Sequence, residues 1–185
     1  MIFLSVFHID YESYNLSARY LSYLLTPATV CLAVPLYQQL SLLKKHARAI
    51  LAGTVTGVLT TMATVLVLAL LFGLTHEQYV TFLPKSITTA IGMGVSEEMG
   101  GIVTITVACI IITGIIGNII AETVCRLFHI TEPVAKGIAI GSASHAIGTT
   151  KAMEMGEVEG AMSSLAIAVS GLCTVLFASV FANFL

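Results

Sequence analysis

The sequence predicts an all-α polytopic membrane protein with about five or more spanning helices and two broken or re-entrant elements that form an inverted repeat. The chain of 185 residues is 57% hydrophobic, only 10% charged and has a mean hydropathy of +0.97, whereas a soluble domain carries about 25% charged residues. Several uncharged stretches reach the roughly 20 residues needed to cross a bilayer. Two polar stretches, at residues 84–100 and 133–156, interrupt them. We treat residues 1–185 as one integral membrane domain.

Composition and motifs exclude several classes of function. The net charge is −2 and the sequence has no basic patch, so a nucleic-acid partner is not expected. The four cysteines form no C-x-x-C pair and are interpreted as small buried hydrophobic residues. The sequence contains no HExxH motif, Walker loop or cysteine–histidine zinc spacing. We therefore predict no catalytic residue, no metal site, no cofactor and no enzymatic activity.

The apolar stretches follow one another along the chain. Residues 1–7 form a short apolar stub, which suggests an N-terminally shortened chain, and residues 10–19 are predicted to form a surface loop. Residues 21–40 are uncharged and contain Pro27 and Pro35, which predicts a kinked spanning helix inside the bundle. The basic cluster at residues 44–48 is expected in the cytoplasm. Further spans are predicted at residues 49–73, 101–121 and 160–185, with an outer loop at residues 74–83.

The two polar stretches resemble each other. When the sequence is shifted by 56 positions, six of the eleven residues from 90 to 100 are identical to those from 146 to 156. Chance would give about one identity, given average residue usage. This similarity favours a duplicated element in which two polar interruptions of apolar segments face each other.

The few charges also favour one way of threading the chain. If residues 84–100 crossed the membrane completely, Arg126 and Lys136 would lie outside. If that stretch instead enters and returns to the outer side, both residues lie in the cytoplasm, as the positive-inside rule prefers. The two polar stretches would then enter from opposite faces and meet near the midplane, an arrangement found in many secondary transporters.

The polar stretches supply the candidate substrate-binding residues. Unwinding is predicted at residues 92–94 and 148–150, because a helix that restarts after glycine presents free N–H groups to a carboxylate. The alternative is that the hydroxyls bond to carbonyl groups of their own helix and that the histidine is a structural hydrogen-bonding residue. The candidates are Thr88, Thr89, Gly92, Ser144, His145, Gly148, Thr149 and Thr150.

Glu98, Lys151 and Glu154 are the candidates for coupling or gating. Glu98 and Glu154 are equivalent in the 56-residue register, and an ionisable group within a membrane suggests a functional site. The alternative is that each glutamate marks where its element surfaces. Lys151 would pair with a substrate carboxylate or with Glu154, or would be a surface lysine that snorkels.

Several motifs resemble the LrgB/CidB family over nearly the whole chain from about Tyr20. They include TPATV at residues 26–30, PLY at 35–37, LPKS at 83–86, TTAI at 88–91, GGI at 100–102, AKG at 135–137, SHAIGT at 144–149 and EGAMSSLA at 159–166. The resemblance implies an additional N-terminal region of one to two spans, which is absent here. The family usually has small or neutral residues where this chain has Glu97 and Glu98.

The resemblance implies a multi-pass protein of the bacterial inner membrane. Our first hypothesis is a secondary transporter for small carboxylates of the glycolate or pyruvate type, coupled to H⁺ or Na⁺. The alternative is a holin- or antiholin-like membrane protein that regulates murein hydrolase activity and lysis. The expected partners are the lipid bilayer, a small carboxylate, a small LrgA/CidA-type membrane protein and further copies of the chain.

Overall fold

The computed structural model describes residues 40–185 and the single residues Leu16, Tyr20, Tyr23 and Tyr37. The predicted stub at residues 1–7 lies outside the described residues. So do most of the predicted loop at residues 10–19 and most of the predicted span at residues 21–40, including both of its prolines.

Helices make up nearly all of the described chain from residue 40 onward, as the predicted all-α class requires. They are α1 (Leu40–Phe72), α2 (His76–Phe82), α3 (Thr89–Glu98), α4 (Val103–Leu127), α5 (Pro133–Met155), α6 (Glu157–Phe181) and a terminal 3-10 helix (Ala182–Phe184).

Three of these helices are long and apolar enough to cross a membrane: Lys44–Phe72 within α1, Val103–Leu127, and Glu157–Phe184. The outer surface of α4 exposes a series of isoleucines, a composition that suits lipid rather than water. The protein is therefore a membrane protein. The predicted total of about five or more spans and the inverted repeat stay predictions. The exposed isoleucines of α4 are Ile105, Ile111, Ile112, Ile115, Ile116, Ile119 and Ile120.

The prediction of a loop at residues 74–83 is wrong, because most of that stretch is helix α2; its position on the outer side stays a prediction. A capping box starts this helix: the Thr75 hydroxyl accepts a hydrogen bond from the Gln78 N–H, and the Thr75 N–H donates to the Gln78 side chain. The pattern T-x-x-Q is a known start signal that the sequence carries. The Tyr79 hydroxyl then donates to the Phe181 carbonyl at 2.8 Å, which joins α2 to the end of α6.

Helices α2 and α3 and the turn between them, residues 83–88, form a hairpin that we call the first hairpin. Thr81, near the end of α2, accepts a hydrogen bond from the N–H of Ile102 at 2.8 Å. Ser96, near the end of α3, is bonded to Thr106 at 2.7 Å, and the Thr106 hydroxyl also donates to the Thr81 carbonyl. The ends of α2 and α3 therefore both lie beside the start of α4.

Helix α5 reverses direction at His145, and its two arms form what we call the second hairpin. His145 has φ 43° and ψ −140°, far from helical values. A Cβ added to Gly148 would lie 3.2 Å from Ile140 Cγ2, although residues eight apart in one straight helix are separated by about 12 Å. Lys136 and Met155 also line one cavity, so both ends of α5 lie at the same end of the bundle.

The predicted unwinding points are wrong. Gly92 and Gly94 lie within α3, and residues 148–150 lie within the second arm of α5. The chain instead reverses at residues 83–88 and at His145. Gly92 and Gly148 are buried, and a Cβ at either position would collide with a neighbouring side chain. These glycines serve close packing rather than backbone reversal.

The second hairpin packs most closely against α6. Gly137 and Gly141 on the first arm face the backbone of α6 around Glu159 and Ser163. Such small residues let helix backbones approach within a membrane, where dispersion forces rather than the hydrophobic effect hold helices together.

Substituting Gly137 tests this contact. We expect Gly137→Ala to lower stability by about 1–3 kcal/mol, the usual cost of overpacking, because its Cβ would lie 2.5 Å from the Glu159 carbonyl oxygen. Thermal unfolding of the detergent-purified protein would measure the change.

Gly94→Ala is the matched control, because a Cβ at that helical position would have no neighbour within 4 Å. We expect this control to be unchanged or stabilised by about 0.5–1 kcal/mol, since alanine favours helix over glycine. Equal melting temperatures for the two variants would contradict the close contact between α5 and α6.

Candidate functional site

The two hairpins meet at one residue of α4, Ile110, which is fully buried. Gly92 of the first hairpin lies against the Ile110 side chain. The His145 side chain, at the turn of the second hairpin, lies with its Nε2 atom 2.9 Å from the Ile110 carbonyl oxygen. Both polar stretches therefore contact Ile110, whereas their entry from opposite membrane faces stays a prediction.

His145 holds the turn of the second hairpin. Its side chain is only 3% exposed, and its positive φ is unusual for a residue other than glycine. Such a conformation costs about 1–3 kcal/mol and persists only where neighbouring contacts enforce it. The hydrogen bond from Nε2–H to the Ile110 carbonyl is one such contact. Gly114 leaves room for the imidazole, since a Cβ there would lie 2.7 Å from His145 Cε1.

Buried hydroxyls extend from this turn towards α6. Thr149 donates to the His145 carbonyl at 2.9 Å and exchanges a hydrogen bond with Ser163 at 2.7 Å. Both threonine and serine are fully buried. Ser144 is also buried and packs against Gly117 of α4. The sequence left open whether these hydroxyls only bond to carbonyl groups of their own helix. For Thr149 this is true of its bond to His145 but not of its bond to Ser163.

The remaining threonine candidates are more accessible. Thr88 is the N-cap residue of α3, makes no side-chain capping bond and is partly buried, as is Thr89. Thr150 is exposed, donates to the Ile147 carbonyl at 2.7 Å and accepts from Asn118 at 2.8 Å. The structure therefore separates Thr150 from the buried group around His145.

A small cavity with both polar and apolar lining lies between the two hairpins. Its volume is about 10 Å³, which is the size of a single water molecule. Ser86 of the first hairpin and Ser142 of the second both line it, together with Thr61 of α1 and Thr174 of α6. The two serines are 56 positions apart and so occupy equivalent places in the sequence repeat.

The gating candidates lie away from this region, at the ends of the hairpins. Glu98 ends α3 and is exposed, and Glu154 is exposed near the end of α5. Lys151 Nζ lies 3.1 Å from Glu154 and 3.7 Å from Glu122. The hydrogen bond and charge of Glu154 raise the pKa of the Lys151 ammonium, with a smaller contribution from Glu122. These positions fit the alternative in which each glutamate marks where its element surfaces.

A larger cavity of about 530 Å³ opens beside this ion-pair group. Its volume lies in the range of small-molecule sites, and it combines acidic and basic side chains at the base of the second hairpin. Its charged lining residues are Glu122, Arg126, Lys136, Lys151 and Glu154.

Two residues of the site were missed in the sequence. Asn118 donates to both the Ile147 carbonyl and the Thr150 hydroxyl at 2.8 Å, and a lone amide in an otherwise apolar span is itself a signal. Lys85 lies in the turn of the first hairpin and donates to Ser86 at 3.1 Å. Its signal is isolation, since no other lysine or arginine occurs between Arg48 and Arg126.

Metal binding has no visible support between residues 40 and 185, where no group of three or more His, Cys, Asp or Glu side chains could hold an ion.

Comparison with known proteins gives the family. Residues 1–184 match the LrgB-like family. The chain belongs to the LrgB-like family. It is 37% identical over 185 residues to the "Antiholin-like protein LrgB" of Bacillus mycoides (strain KBAB4). This match covers 100% of this chain and 80% of that protein. The same values hold for the proteins of that name in Bacillus cereus (strain B4264) and Bacillus anthracis (strain CDC 684 / NRRL 3495). No solved structure matches the chain.

Membership of the LrgB-like family confirms the resemblance inferred from the motifs. Two of those motifs form the hairpin turns of this LrgB-like chain. LPKS supplies the turn of the first hairpin, and SHAIGT begins at Ser144, directly before the reversal at His145. One motif thus supplies the first turn, and the other contains His145, the residue that bonds to the Ile110 carbonyl.

Within a helix, alanine is normally more stabilising than glycine. The positive φ of His145 predicts the reverse order at this position. His145→Gly and His145→Ala both lose the hydrogen bond to Ile110, but only glycine relieves the positive φ. We therefore expect His145→Ala to be less stable than His145→Gly by about 1 kcal/mol. Thermal unfolding of both variants in the same detergent would measure this difference. A less stable glycine variant would mean that the reversal at His145 is not strained.

Proposed function

We propose that the chain is an antiholin-like protein of the bacterial inner membrane that regulates murein hydrolase activity together with a small LrgA-type membrane protein. The observation that carries this proposal is the 37% identity over the full chain to proteins named Antiholin-like protein LrgB. Those names favour the regulatory function, which the sequence left as the alternative, over carboxylate transport. Three apolar helices support a site of action in the bilayer.

The described helices are better suited to a regulator or a carrier than to a wide pore. The cavity between the hairpin turns is about 10 Å³, too small for a permanently open path. The glycine contacts of α5 with α4 and α6 are close. A regulatory role would then depend on contact with a partner in the membrane, rather than on a permanent channel through this chain.

Measured lysis tests the regulatory proposal. In a bacterium that lacks its own LrgB-type protein but keeps its LrgA-type partner, we expect expression of this chain to slow detergent-induced autolysis. Murein hydrolase activity on zymograms should fall in parallel. The Gly94→Ala variant is the control, since it has no close neighbour at that position and should behave as the native chain. Unchanged autolysis at equal membrane abundance would refute the regulatory function.

Carboxylate transport remains a second candidate because of one specific observation: both hairpins contact Ile110, the first through Gly92 of α3 and the second through His145 at its turn. We propose that the hairpins are re-entrant elements that enter from opposite membrane faces as an inverted repeat. Irregular backbone at membrane depth is tolerated where protein or a water-filled path satisfies it. The equivalent placement of Ser86 and Ser142 at the shared cavity supports this arrangement.

The charge distribution supports the same threading. His46, in the basic cluster at the start of α1, lines one cavity together with Glu132, directly before α5. The basic cluster and the base of the second hairpin therefore lie at one end of the bundle, and we propose that this end faces the cytoplasm. The first hairpin would then enter from the outside. For the transport candidate, we propose H⁺ or Na⁺ as the coupling ion.

Reconstitution into liposomes tests transport. We expect saturable uptake of labelled glycolate, pyruvate or lactate that depends on an imposed H⁺ or Na⁺ gradient. His145→Ala should reduce uptake at least about 10-fold if the turn positions the substrate, whereas Gly94→Ala should not. Non-saturable leakage that includes unrelated dyes would indicate a pore. If the folded protein takes up no carboxylate, transport is refuted and the regulatory function is the only remaining proposal.

A further inference from the structure

Lys85, at the turn of the first hairpin, pairs with no carboxylate of residues 40–185. It is partly buried, and its one hydrogen bond within the described residues is to the Ser86 hydroxyl at 3.1 Å. Among residues 40–185, no Asp or Glu oxygen lies within 4 Å of its ammonium, whereas Lys151 has two glutamates within that distance. An ammonium in apolar surroundings is costly unless it is paired.

The described residues around Lys85 offer further hydrogen-bond donors but no negative charge. The glutamates of the first hairpin, Glu77, Glu97 and Glu98, lie at the far ends of α2 and α3 and are exposed. Helix α3 begins four residues after Lys85, and its N-cap Thr88 leaves its hydroxyl without a capping bond. The amino end of a helix carries a partial positive charge that adds to that of a nearby ammonium.

We propose that Lys85 binds the carboxylate of a small organic monoanion at the turn of the first hairpin. The class of ligand rests on the transport candidate above, but the need for an anion rests on Lys85 itself. The ammonium donates to one carboxylate oxygen, and the Thr88 hydroxyl provides a second donor on the same turn. Ser86 links this anion site to the cavity that it shares with Ser142 of the second hairpin.

The shared cavity does not itself hold the ligand, because a volume of about 10 Å³ accepts no carboxylate. The anion instead approaches the partly exposed side of Lys85. Cys109 of α4 is also partly exposed, and it directly precedes Ile110, which Gly92 of the first hairpin contacts. Its thiol is therefore a built-in reporter beside the proposed site.

Direct binding of [¹⁴C]glycolate and [¹⁴C]pyruvate to the purified protein, measured by scintillation proximity in detergent, tests the proposal. We expect saturable binding to the native chain and to Lys85→Arg, which keeps the charge. Binding to Lys85→Gln should be at least about 10-fold weaker, the effect expected for one lost charge-assisted hydrogen bond. Lys136→Gln is the matched control, because it removes a partly buried lysine from the other end of the bundle and should bind normally.

Three results would overturn the proposal: no saturable binding to the native chain, equal binding to Lys85→Gln, or complete competition by chloride at the same concentration as the carboxylate. The last result would mark a halide site rather than a carboxylate site.

A second measurement keeps Lys85 intact, in case Lys85→Gln does not fold. In a chain with Cys109 as its sole cysteine, made by Cys31→Ser, Cys125→Ser and Cys173→Ala, glycolate should slow modification of Cys109 by a neutral thiol reagent at least about 3-fold. This protection follows if the bound anion covers the approach to Cys109. An unchanged rate at saturating glycolate would contradict binding beside Lys85.

The anion site and the transport function can fail separately. Binding that requires Lys85, in a protein that moves no carboxylate into liposomes, would retain the site and refute transport. Saturable uptake that persists in Lys85→Gln would retain transport and refute the site.

Discussion

The hydrogen bond between His145 and the Ile110 carbonyl fixes the centre of the described bundle. It joins the turn of one hairpin to the first half of a spanning helix, at 2.9 Å and away from solvent. In apolar surroundings such a bond has no competition from water, and its loss leaves a buried polar group unpaired. The Thr149 hydroxyl bonds to the carbonyl of the same histidine, so the order of the second hairpin depends on this turn.

Close approach of backbones is the condition for that bond. Gly114 and Gly117 leave space on α4 for His145 and Ser144, and Gly137 and Gly141 let the first arm of the hairpin rest on α6. A side chain at any of these positions would push the second hairpin outwards. The polar turn is therefore held by packing on both sides, as expected where helices associate by shape rather than by exclusion of water.

Much of the architecture could be predicted from the sequence, because composition and the length of apolar runs determine which helices suit a bilayer. The 56-residue repeat also indicated two polar elements that approach each other. The positions of the reversals could not be predicted in this way. Glycine at residues 92 and 148 suggested unwinding, but both glycines serve packing. The second reversal falls on His145; histidine is enriched among the non-glycine residues that adopt positive φ, but this preference is too weak to identify one residue as a turn.

The candidate site was predictable only in part, because burial of its residues depends on the positions of the reversals. His145, Ser144 and Thr149 stood out as polar residues in an apolar stretch, and all three are buried near the turn. Glu98 and Glu154 stood out equally, yet both are exposed at helix ends. Sequence spacing does not distinguish a charge at membrane depth from one at the surface of a hairpin. That distinction depends on where the chain turns back.

The shared use of Ile110 has a thermodynamic consequence. The Ile110 side chain contacts Gly92, and the Ile110 carbonyl accepts a hydrogen bond from His145. A displacement of α4 at Ile110 therefore disturbs both hairpins. If a change at the first hairpin alters the free energy of the second, the same change at the second must, by reciprocity, alter the free energy of the first by an equal amount. A single isoleucine thereby makes the two halves of the bundle energetically interdependent.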